Sequence, residues 1–361
     1  MPVEYGKKGN TIVWVKNPFT GCATYFNQIH KKTLALMAKG NIVQAMFEEP
    51  SPGREPTPEV RRLMEDAVRK CVFCPGNEDR APAEVLRVRW EEIFHQDQSQ
   101  ETINANGWAM RVVRNIIPRV PEVCTGGANE SYVVVEDSRH FHPNASRTED
   151  VIYSGMLTPL HFYRLMTLDA EVMRRSYSNP DVRSVIIRKN QGAESGASQP
   201  HIHNQVMGAD QYYPDVLQEM RITESDPGVW EESVEVIREI GLIIEEDEDV
   251  VSYWSPYGKF PRSFDLLMLR ERGLITGLPK EKLLKFSNAL HGILAYHGPI
   301  PLDYEIHSSP GIPIHALLNS RLFTYSNIGG TINVPSDVSE KVVPIREGVL
   351  SLKPDYPSFV S

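Results

Sequence analysis

The sequence has few cysteines, no long hydrophobic run and no excess of basic residues. No segment reaches the roughly 18 consecutive apolar residues that mark a transmembrane helix, and the first residues, MPVEYGKKGN, lack the apolar core of a secretory signal. We therefore expect a cytoplasmic protein without a membrane partner. Lys and Arg total 38 against 47 Asp and Glu, a formal charge of −9, which argues against broad, non-specific binding to nucleic acid.

Cysteine is scarce, and only Cys71 and Cys74 have the C-x-x-C spacing. In a reducing compartment such a pair indicates a metal or redox site rather than a disulfide. Two thiolates followed by the turn Pro75-Gly76 form half of a tetrahedral zinc site, and the other ligands must be His or carboxylate because no second C-x-x-C exists. A redox pair or a plain turn are the alternatives. Cys22 and Cys124 are expected to be packing residues.

The first half of the chain reads as strands, one long helix and further strands. A short helix is expected at 58–70, before the cysteine pair, and the long helix at 158–179, with Thr158 as N-cap and Pro159 at its first position. Runs rich in Val and aromatic residues predict strands at 83–90, 108–115, 131–136, 182–190 and 201–208. Residues 1–60, rich in turns and Pro, are expected to be irregular.

The second half repeats this order. An amphipathic helix is expected at 279–297 and another at 225–250, ending in an acidic, solvated patch. Strands are predicted at 250–257, 263–270, 304–309, 313–319 and 322–326. The sequence therefore predicts an α+β fold with antiparallel sheets and a degenerate internal duplication. Its expected divisions are an N-terminal segment (1–60) and two halves (61–210 and 211–361).

The strongest local motif is Ser-Gln-Pro-His-Ile-His-Asn-Gln at 198–205. On a strand, His201, His203 and Gln205 would share one face, with neighbours about 6.5–7 Å apart. The preceding loop, 190–198, is small and flexible, and Gly192 and Gly196 permit close approach of a ligand to the backbone. Loop amides and the Gln amide can hold phosphate oxygens, and a neutral imidazole can attack phosphorus. The alternative is a solvent-exposed polar strand face.

Four motifs in consistent order resemble the galactose-1-phosphate uridylyltransferase family of the histidine-triad superfamily. They are C-x-x-C-P-G-N from Cys71, R-V-x-x-N ending at Asn115, V-V-x-E-x-x-x-H ending at His140, and N-x-G-A-x-x-G-x-S-x-P-H-x-H-x-Q ending at Gln205. The match covers about residues 71–208, with a weaker match over 250–345. The resemblance implies a histidine-triad-like α+β fold of two degenerate repeats, each with an antiparallel sheet and a long helix, and it implies a homodimer.

The resemblance also implies roles for individual residues. His203 matches the family's nucleophile, which becomes nucleotidylated, and Gln205 the residue that holds phosphoryl oxygens. Asn115, Asn190, Gly196 and Ser198 match the nucleotide and phosphate-loop positions. The ligands of a structural zinc ion match Cys71, Cys74, His140 and His201, with His142 the weaker choice for the third ligand.

The implied function is transfer of a nucleoside monophosphate. The donor would be a nucleotide or nucleotide-sugar and the acceptor a phosphate or sugar-1-phosphate, in a ping-pong reaction through nucleotidyl-His203. Hydrolases of the superfamily have a third His where this chain has Gln205, and a neutral amide cannot activate water as an imidazole can. A nucleotide or dinucleotide hydrolase is one alternative, and a non-catalytic, zinc-stabilised nucleotide-binding protein is the other.

Two departures from the family affect the details. Glu219, His307 and His315 match a second metal site, but only one member of its His-x-His pair is present, so we expect that site to be empty or incomplete. Ile116 stands where uridylyltransferases have a polar contact to the base, which favours acceptance of adenine. Arg111, Arg114 and Lys189 are candidates for neutralising the phosphates.

Overall fold

Fourteen strands and seven helices make up the regular structure in the described part of the computed structural model, which comprises residues 5–8, 12–21, 23–27, 55–93, 107–116, 130–256, 263–321, 332–335 and 338–351. The strands are β1 Tyr5–Lys8, β2 Ile12–Lys16, β3 Ala23–Asn27, β4 Glu84–Arg89, β5 Trp108–Arg114, β6 Ser131–Val135, β7 Ser184–Gln191, β8 His203–Ala209, β9 Ile243–Glu246, β10 Val251–Trp254, β11 Ser263–Arg272, β12 Leu302–His307, β13 Pro313–Ser320 and β14 Ile332–Pro335. The helices are α1 Pro58–Lys70, α2 Trp90–Ile93, α3 Pro159–Tyr177, α4 Pro214–Ser225, α5 Val229–Glu239, α6 Lys280–His297 and α7 Val338–Ser351.

Ten of the strands form one antiparallel sheet in the order β4-β5-β6-β8-β7-β12-β13-β11-β10-β9. When the strands are counted inward from either edge of the sheet, the two halves follow the same order. The halves join where β7 pairs with β12. This confirms the α+β class and the antiparallel sheet. The repeated order is what an internal duplication produces, and the duplication itself stays a prediction, as do the domain boundaries.

Helices α3 and α6 pack against each other and cover one face of the ten-stranded sheet. α3 begins as predicted, because Thr158 accepts a hydrogen bond from the His161 amide and Pro159 occupies the first turn. The core between helices and sheet is apolar and fully buried; its largest members include Phe162, Leu165, Met166, Phe286 and Phe264. The opposite face of the sheet is therefore the one left for a ligand.

Two expectations about secondary structure are wrong. Residues 1–60 are not irregular throughout, because β1, β2 and β3 form a second, four-stranded sheet with β14. The helix expected over 225–250 ends at Glu239 and the chain continues as β9. Gly241, at φ +79°, closes α5, with the Gly241 amide bonded to Arg238 O and the Leu242 amide to Ile237 O. This pattern of bonds terminates a helix whatever the polarity of the next residues.

The remaining expected elements match the structure to within a few residues where it describes them. The strand expected at 322–326, and Cys22 and Cys124, lie outside the described residues. Within the described ranges, no helix combines the length and hydrophobicity needed to cross a bilayer.

Candidate active site and metal centre

Two cysteines and two histidines from separate parts of the chain meet in one buried cluster. Cys71 caps the C-terminus of α1, Cys74 follows in the next turn, His140 lies beyond β6 and His201 precedes β8. The Cys74 Sγ is 3.3 Å from His140 Nδ1 and 3.4 Å from His201 Nδ1, and the Cys71 Sγ is 3.5 Å from His201 Nδ1. Ligands bonded tetrahedrally to zinc lie about 3.3–3.8 Å apart, so these four atoms have the right spacing.

The surroundings of this cluster also suit a metal. The His201 Nε2–H donates to the Asp137 carbonyl at 2.7 Å, which leaves the Nδ1 lone pair facing the two sulfurs. The neighbouring Cys74 thiol, followed by His140 and His201, lowers the pKa of Cys71 despite its burial. The donor set therefore fits a structural zinc ion with no open position. His142 is buried but stands outside the cluster.

The cluster is linked to His203 through Phe73. This residue lies between the two cysteines, and its ring centroid is 5.4 Å from that of His203 and 6.2 Å from that of His201. The cysteine turn thus sets the position of Phe73, and Phe73 packs beside His203. Reasoning from the sequence missed Phe73, although its place inside the C-x-x-C motif was the available signal.

His203 is the first residue of β8 and has a fixed tautomer. Its Nδ1–H donates to the His201 carbonyl at 2.8 Å, because a carbonyl can only accept. Nε2 is then the ring nitrogen with a lone pair available to a ligand. Burial lowers the pKa of His203 to about 4, so the ring is neutral at pH 7. His201 lies before the strand rather than on it, so the expected shared face holds only for His203 and Gln205.

His203 and Gln205 line a cleft of about 220 Å³ that opens on the sheet face opposite α3. One wall is apolar, with Phe73, Val113 and Val133. The rim has polar groups. The lining residues are Val72, Phe73, Pro82, Val113, Arg114, Asn115, Ile116, Val133, Ser198, Gln199, His203 and Gln205. An apolar slot beside a neutral imidazole and hydrogen-bonding groups suits a planar base joined to a phosphate.

The Gln205 amide is not used to hold the protein together. Its Oε1 atom is buried, and no described residue forms a hydrogen bond with it. A buried amide oxygen without a partner is unfavourable unless a ligand or water reaches it. Gln205 is therefore oriented for a ligand in the cleft.

Asn190 and Gly196 shape the loop beside the cleft instead of lining it. Asn190 Nδ2 donates to the Ser195 carbonyl, and Ser195 Oγ donates to the Gly192 carbonyl at 2.8 Å. Gly196 has φ +83°, a left-handed conformation that L side chains rarely adopt. These contacts set the path of the chain up to Ser198, which does line the cleft.

Two of the three expected phosphate-neutralising residues lie elsewhere. Lys189 is buried on the helix side of the sheet, where it forms an ion pair with Glu136. Arg111 is buried and forms an ion pair with Glu84 at 2.6 Å. Arg114 alone lines the cleft. Strand position did not reveal this, because Arg111 is on the same sheet face as His203 in the strand register but is held there by Glu84 and lies over the Trp108 ring.

Behind β8 lies a polar network that sequence reasoning missed. Asn204, between His203 and Gln205, donates to Asp169 Oδ2 on α3 at 2.7 Å and accepts from the Tyr304 hydroxyl at 2.9 Å. All three side chains are fully buried. Burial holds the pKa of Asp169 well above its ordinary value. This network anchors β8 to the helix layer, and the only sequence signal for it is polar residues within apolar segments.

A second buried cluster contains Glu219, His307 and His315, whose ligand atoms lie within 4.8 Å of one another. Glu219 is 2.9 Å from His307 Nδ1 and 3.3 Å from His315 Nε2. Burial by itself would lower the pKa of His307, but the Glu219 carboxylate raises this pKa to about 10. These three residues meet as the resemblance implies, and whether they bind a metal stays a prediction.

Solved structures share this fold at low sequence identity. An ADP-glucose phosphorylase of Arabidopsis thaliana with bound ADP-glucose has a TM-score of 0.62 at 17% identity, covering 95% of this chain and 98% of that one. A GalT-like protein of Arabidopsis thaliana has a TM-score of 0.60 at 19% identity, covering 77% and 92%. A uridylyltransferase has a TM-score of 0.55 at 18% identity, covering 68% and 86%.

The chain therefore has the fold of these GalT-like, phosphorylase and uridylyltransferase structures, as the four motifs predicted. A family model described as domain of unknown function DUF4921 matches residues 122–310, just over half of the chain. The protein belongs to this family. The matched residues include His140, His201, His203 and Gln205, whereas the two cysteines of the metal cluster precede them. No curated protein sequence matches the chain.

Proposed function

We propose that the protein is a nucleotidyltransferase that works through a covalent nucleotidyl-His203 intermediate. The donor is a nucleotide or nucleotide-sugar, and the acceptor is a phosphate or sugar-1-phosphate. The observation that carries the proposal is the state of His203: a neutral imidazole, tethered through Nδ1, in a cleft with an apolar wall and the unpartnered amide of Gln205. The bound ADP-glucose of the similar phosphorylase supports this substrate class.

The first half-reaction needs no proton transfer by the protein. The Nε2 lone pair of His203 attacks the α-phosphorus of the donor, a P–N bond forms, and the bond to the leaving phosphate breaks with its electron pair on the leaving oxygen. The ring then carries a positive charge, and the hydrogen bond from Nδ1–H to the His201 carbonyl stabilises it. Gln205 contributes hydrogen bonds to the phosphoryl oxygens, but its amide N–H is too weakly acidic to protonate a leaving group.

Zinc has a structural role in this proposal. Cys71, Cys74, His140 and His201 would hold the ion, and four protein ligands would leave no position for substrate. Held in this way, these residues would keep the Phe73 turn and the His201 carbonyl in place beside His203. The homodimer and the cytoplasmic location stay predictions.

Intact-mass measurement tests the proposal and identifies the nucleotide. The protein is mixed with ADP-glucose, UDP-glucose and other nucleotide-sugars, denatured, and weighed. We expect an added mass of one nucleoside monophosphate, on His203, and its removal when phosphate or a sugar-1-phosphate is added. His203→Asn keeps the size and polarity of the side chain and removes the nucleophile, so this variant should retain zinc and form no adduct. An adduct that persists in His203→Asn would exclude the mechanism.

The same experiment separates the alternatives and tests the base preference. A hydrolase would release the free nucleoside monophosphate at the same rate with or without acceptor, and a non-catalytic protein would bind the donor unchanged. Ile116 is 74% exposed at the rim of the cleft and offers an aliphatic surface to a base. We therefore expect ADP-glucose to react at least as well as UDP-glucose. A strong preference for UDP-glucose would contradict this expectation.

A further inference from the structure

Beside the cleft, the open face of the sheet carries polar side chains across the junction of the two halves. In the strand register, Gln205 of β8 lies opposite Arg188 of β7, and Arg188 lies opposite Glu305 of β12. Directly paired residues of antiparallel strands point to the same face, so these three side chains form one row. Asn190, two residues further along β7 on the same face, is paired with Asp303 of β12.

This row is accessible, unlike its counterpart on the other face. Gln205, Arg188 and Glu305 are each partly exposed. The residues next to them along the strands, Asn204 and Lys189, are buried under the helices. Polar groups on an exposed sheet face need no ligand to be stable, but Arg188 differs from its neighbours because its Nε is buried.

Arg188 has unused hydrogen-bonding capacity. One of its terminal nitrogens donates to Asn190 Oδ1 at 2.9 Å. Its Nε is buried and has no hydrogen-bond partner within the described ranges. A guanidinium has five donors in a planar fork that matches two oxygens of a phosphate. A buried donor without a partner is costly, and an oxyanion at this position would satisfy it.

Arg188 is also at a suitable distance from the nucleophile. It is the diagonal neighbour of His203 across β7 and β8, and diagonal neighbours lie about 7–8 Å apart. A phosphate held by Arg188 would therefore stand next to a phosphoryl group on His203 Nε2 without overlapping it. Arg114 also lines the cleft, but it belongs to β5, two strands away from β8.

We propose that Arg188 binds the phosphate group of the acceptor in the second half-reaction, which makes it a specificity-determining residue for phosphorylated acceptors. The inference rests on the proposed function. In this step an oxygen of the acceptor phosphate attacks the phosphorus of nucleotidyl-His203. A P–O bond forms, the P–N bond breaks, and its electron pair returns to Nε2, which leaves a neutral imidazole and needs no further reactant.

A chase experiment on the preformed nucleotidyl-protein tests this role. The intermediate is made with a nucleotide-sugar, freed of donor, and mixed with increasing glucose-1-phosphate or orthophosphate, and loss of the adduct is timed. We expect Arg188→Gln to lose the adduct about tenfold or more slowly than the natural protein at subsaturating acceptor. Attack by glucose-1-phosphate is the reverse of adduct formation from a glucose nucleotide, so formation at subsaturating donor should slow by a similar factor. Gln keeps an N–H for Asn190, so the loop beside the cleft stays in place, and Arg188→Lys, which keeps the charge, should recover part of the rate.

Arg183→Gln is the matched control, because Arg183 is exposed just before β7, away from the cleft, and should behave as the natural protein. Slower loss with both acceptors indicates that Arg188 binds the phosphate they share, and slower loss with only one identifies that one as the acceptor. Unchanged loss with both acceptors would overturn the inference alone. Absence of any adduct in the natural protein would instead overturn the proposed function, and the inference with it.

Discussion

His203 and His315 occupy corresponding strands of the two halves, and each ring donates its Nδ1–H to the carbonyl two residues earlier, at 2.8 Å in both cases. Their other ring nitrogens differ. The ring of His203 lines an open cleft, whereas His315 Nε2 faces the Glu219 carboxylate and its ring packs 4.9 Å from that of Trp230. The same strand geometry therefore presents one imidazole to a ligand and covers the other.

The first prediction follows from this difference. Peptide mapping of the labelled protein should find the nucleotide on the peptide that contains His203 and none on the peptide that contains His315, because Glu219 and Trp230 leave no room for a phosphate there. Complete labelling should stop at about one nucleotide per chain. Two labels per chain, or label at His315, would show that both halves are active.

The second prediction concerns zinc. The purified protein should contain about one zinc per chain, held by Cys71, Cys74, His140 and His201. His140→Asn should lose it while His142→Asn keeps it, since of these two histidines only His140 faces the thiols. Metal binding is coupled to folding, so removal by a chelator should lower the melting temperature and the yield of adduct together. Active protein without stoichiometric metal would refute the assignment, as would equal zinc in the two variants.

The third prediction concerns the buried Asp169. Its pKa is raised by burial, and the groups that face it are Asn204, Glu136, Lys189 and Tyr304. In the unfolded state Asp169 loses its proton above its ordinary pKa near 3.8, whereas in the folded state it keeps the proton to higher pH. Asp169 therefore makes the protein less stable as the pH rises from 3.8 toward the pKa of the folded state.

Asp169→Asn, which keeps an oxygen for Asn204, should remove that pH dependence. Urea unfolding should show its stability relative to the natural protein increasing from pH 5 to pH 8. Asp169→Ala is the contrasting variant and should be about 1–3 kcal/mol less stable than Asp169→Asn at both pH values, because the Asn204 amide is left without an acceptor. A constant difference between Asp169→Asn and the natural protein across this range would mean that Asp169 is ionised in the fold.

The fourth prediction concerns the contact between the halves at Gly155. A Cβ at this position would lie 2.4 Å from the Leu294 carbonyl oxygen and 2.6 Å from the Ala295 Cα, both backbone atoms of α6. Gly155→Ala should therefore lower the free energy of unfolding by about 2 kcal/mol or more. Gly277 ends the corresponding short turn before α6 and has open space around it, so Gly277→Ala should change stability by less than about 0.5 kcal/mol. Equal effects of the two variants would show that the contact does not constrain the fold.

The sequence by itself determined the local structure and the chemistry of the motifs. Thr158 and Pro159 mark the start of α3, and the alternating His203 and Gln205 share a face because a strand has a period of two. Two thiols at C-x-x-C spacing predicted half of a metal site. These features depend on neighbours in the chain, so a sequence contains them directly.

Only the tertiary structure decided which distant groups meet. Asp169 and Tyr304 are separated by more than a hundred residues, yet both bond to Asn204, and nothing local to either predicts it. Lys189 and Arg188 are adjacent in sequence, and the packing of α3 against one face of the sheet buries the first against Glu136 and leaves the second beside His203. Burial and ion pairing depend on how helices and strands pack across the whole fold. This packing decides that one basic side chain lies in the core and its neighbour in sequence lies beside the cleft.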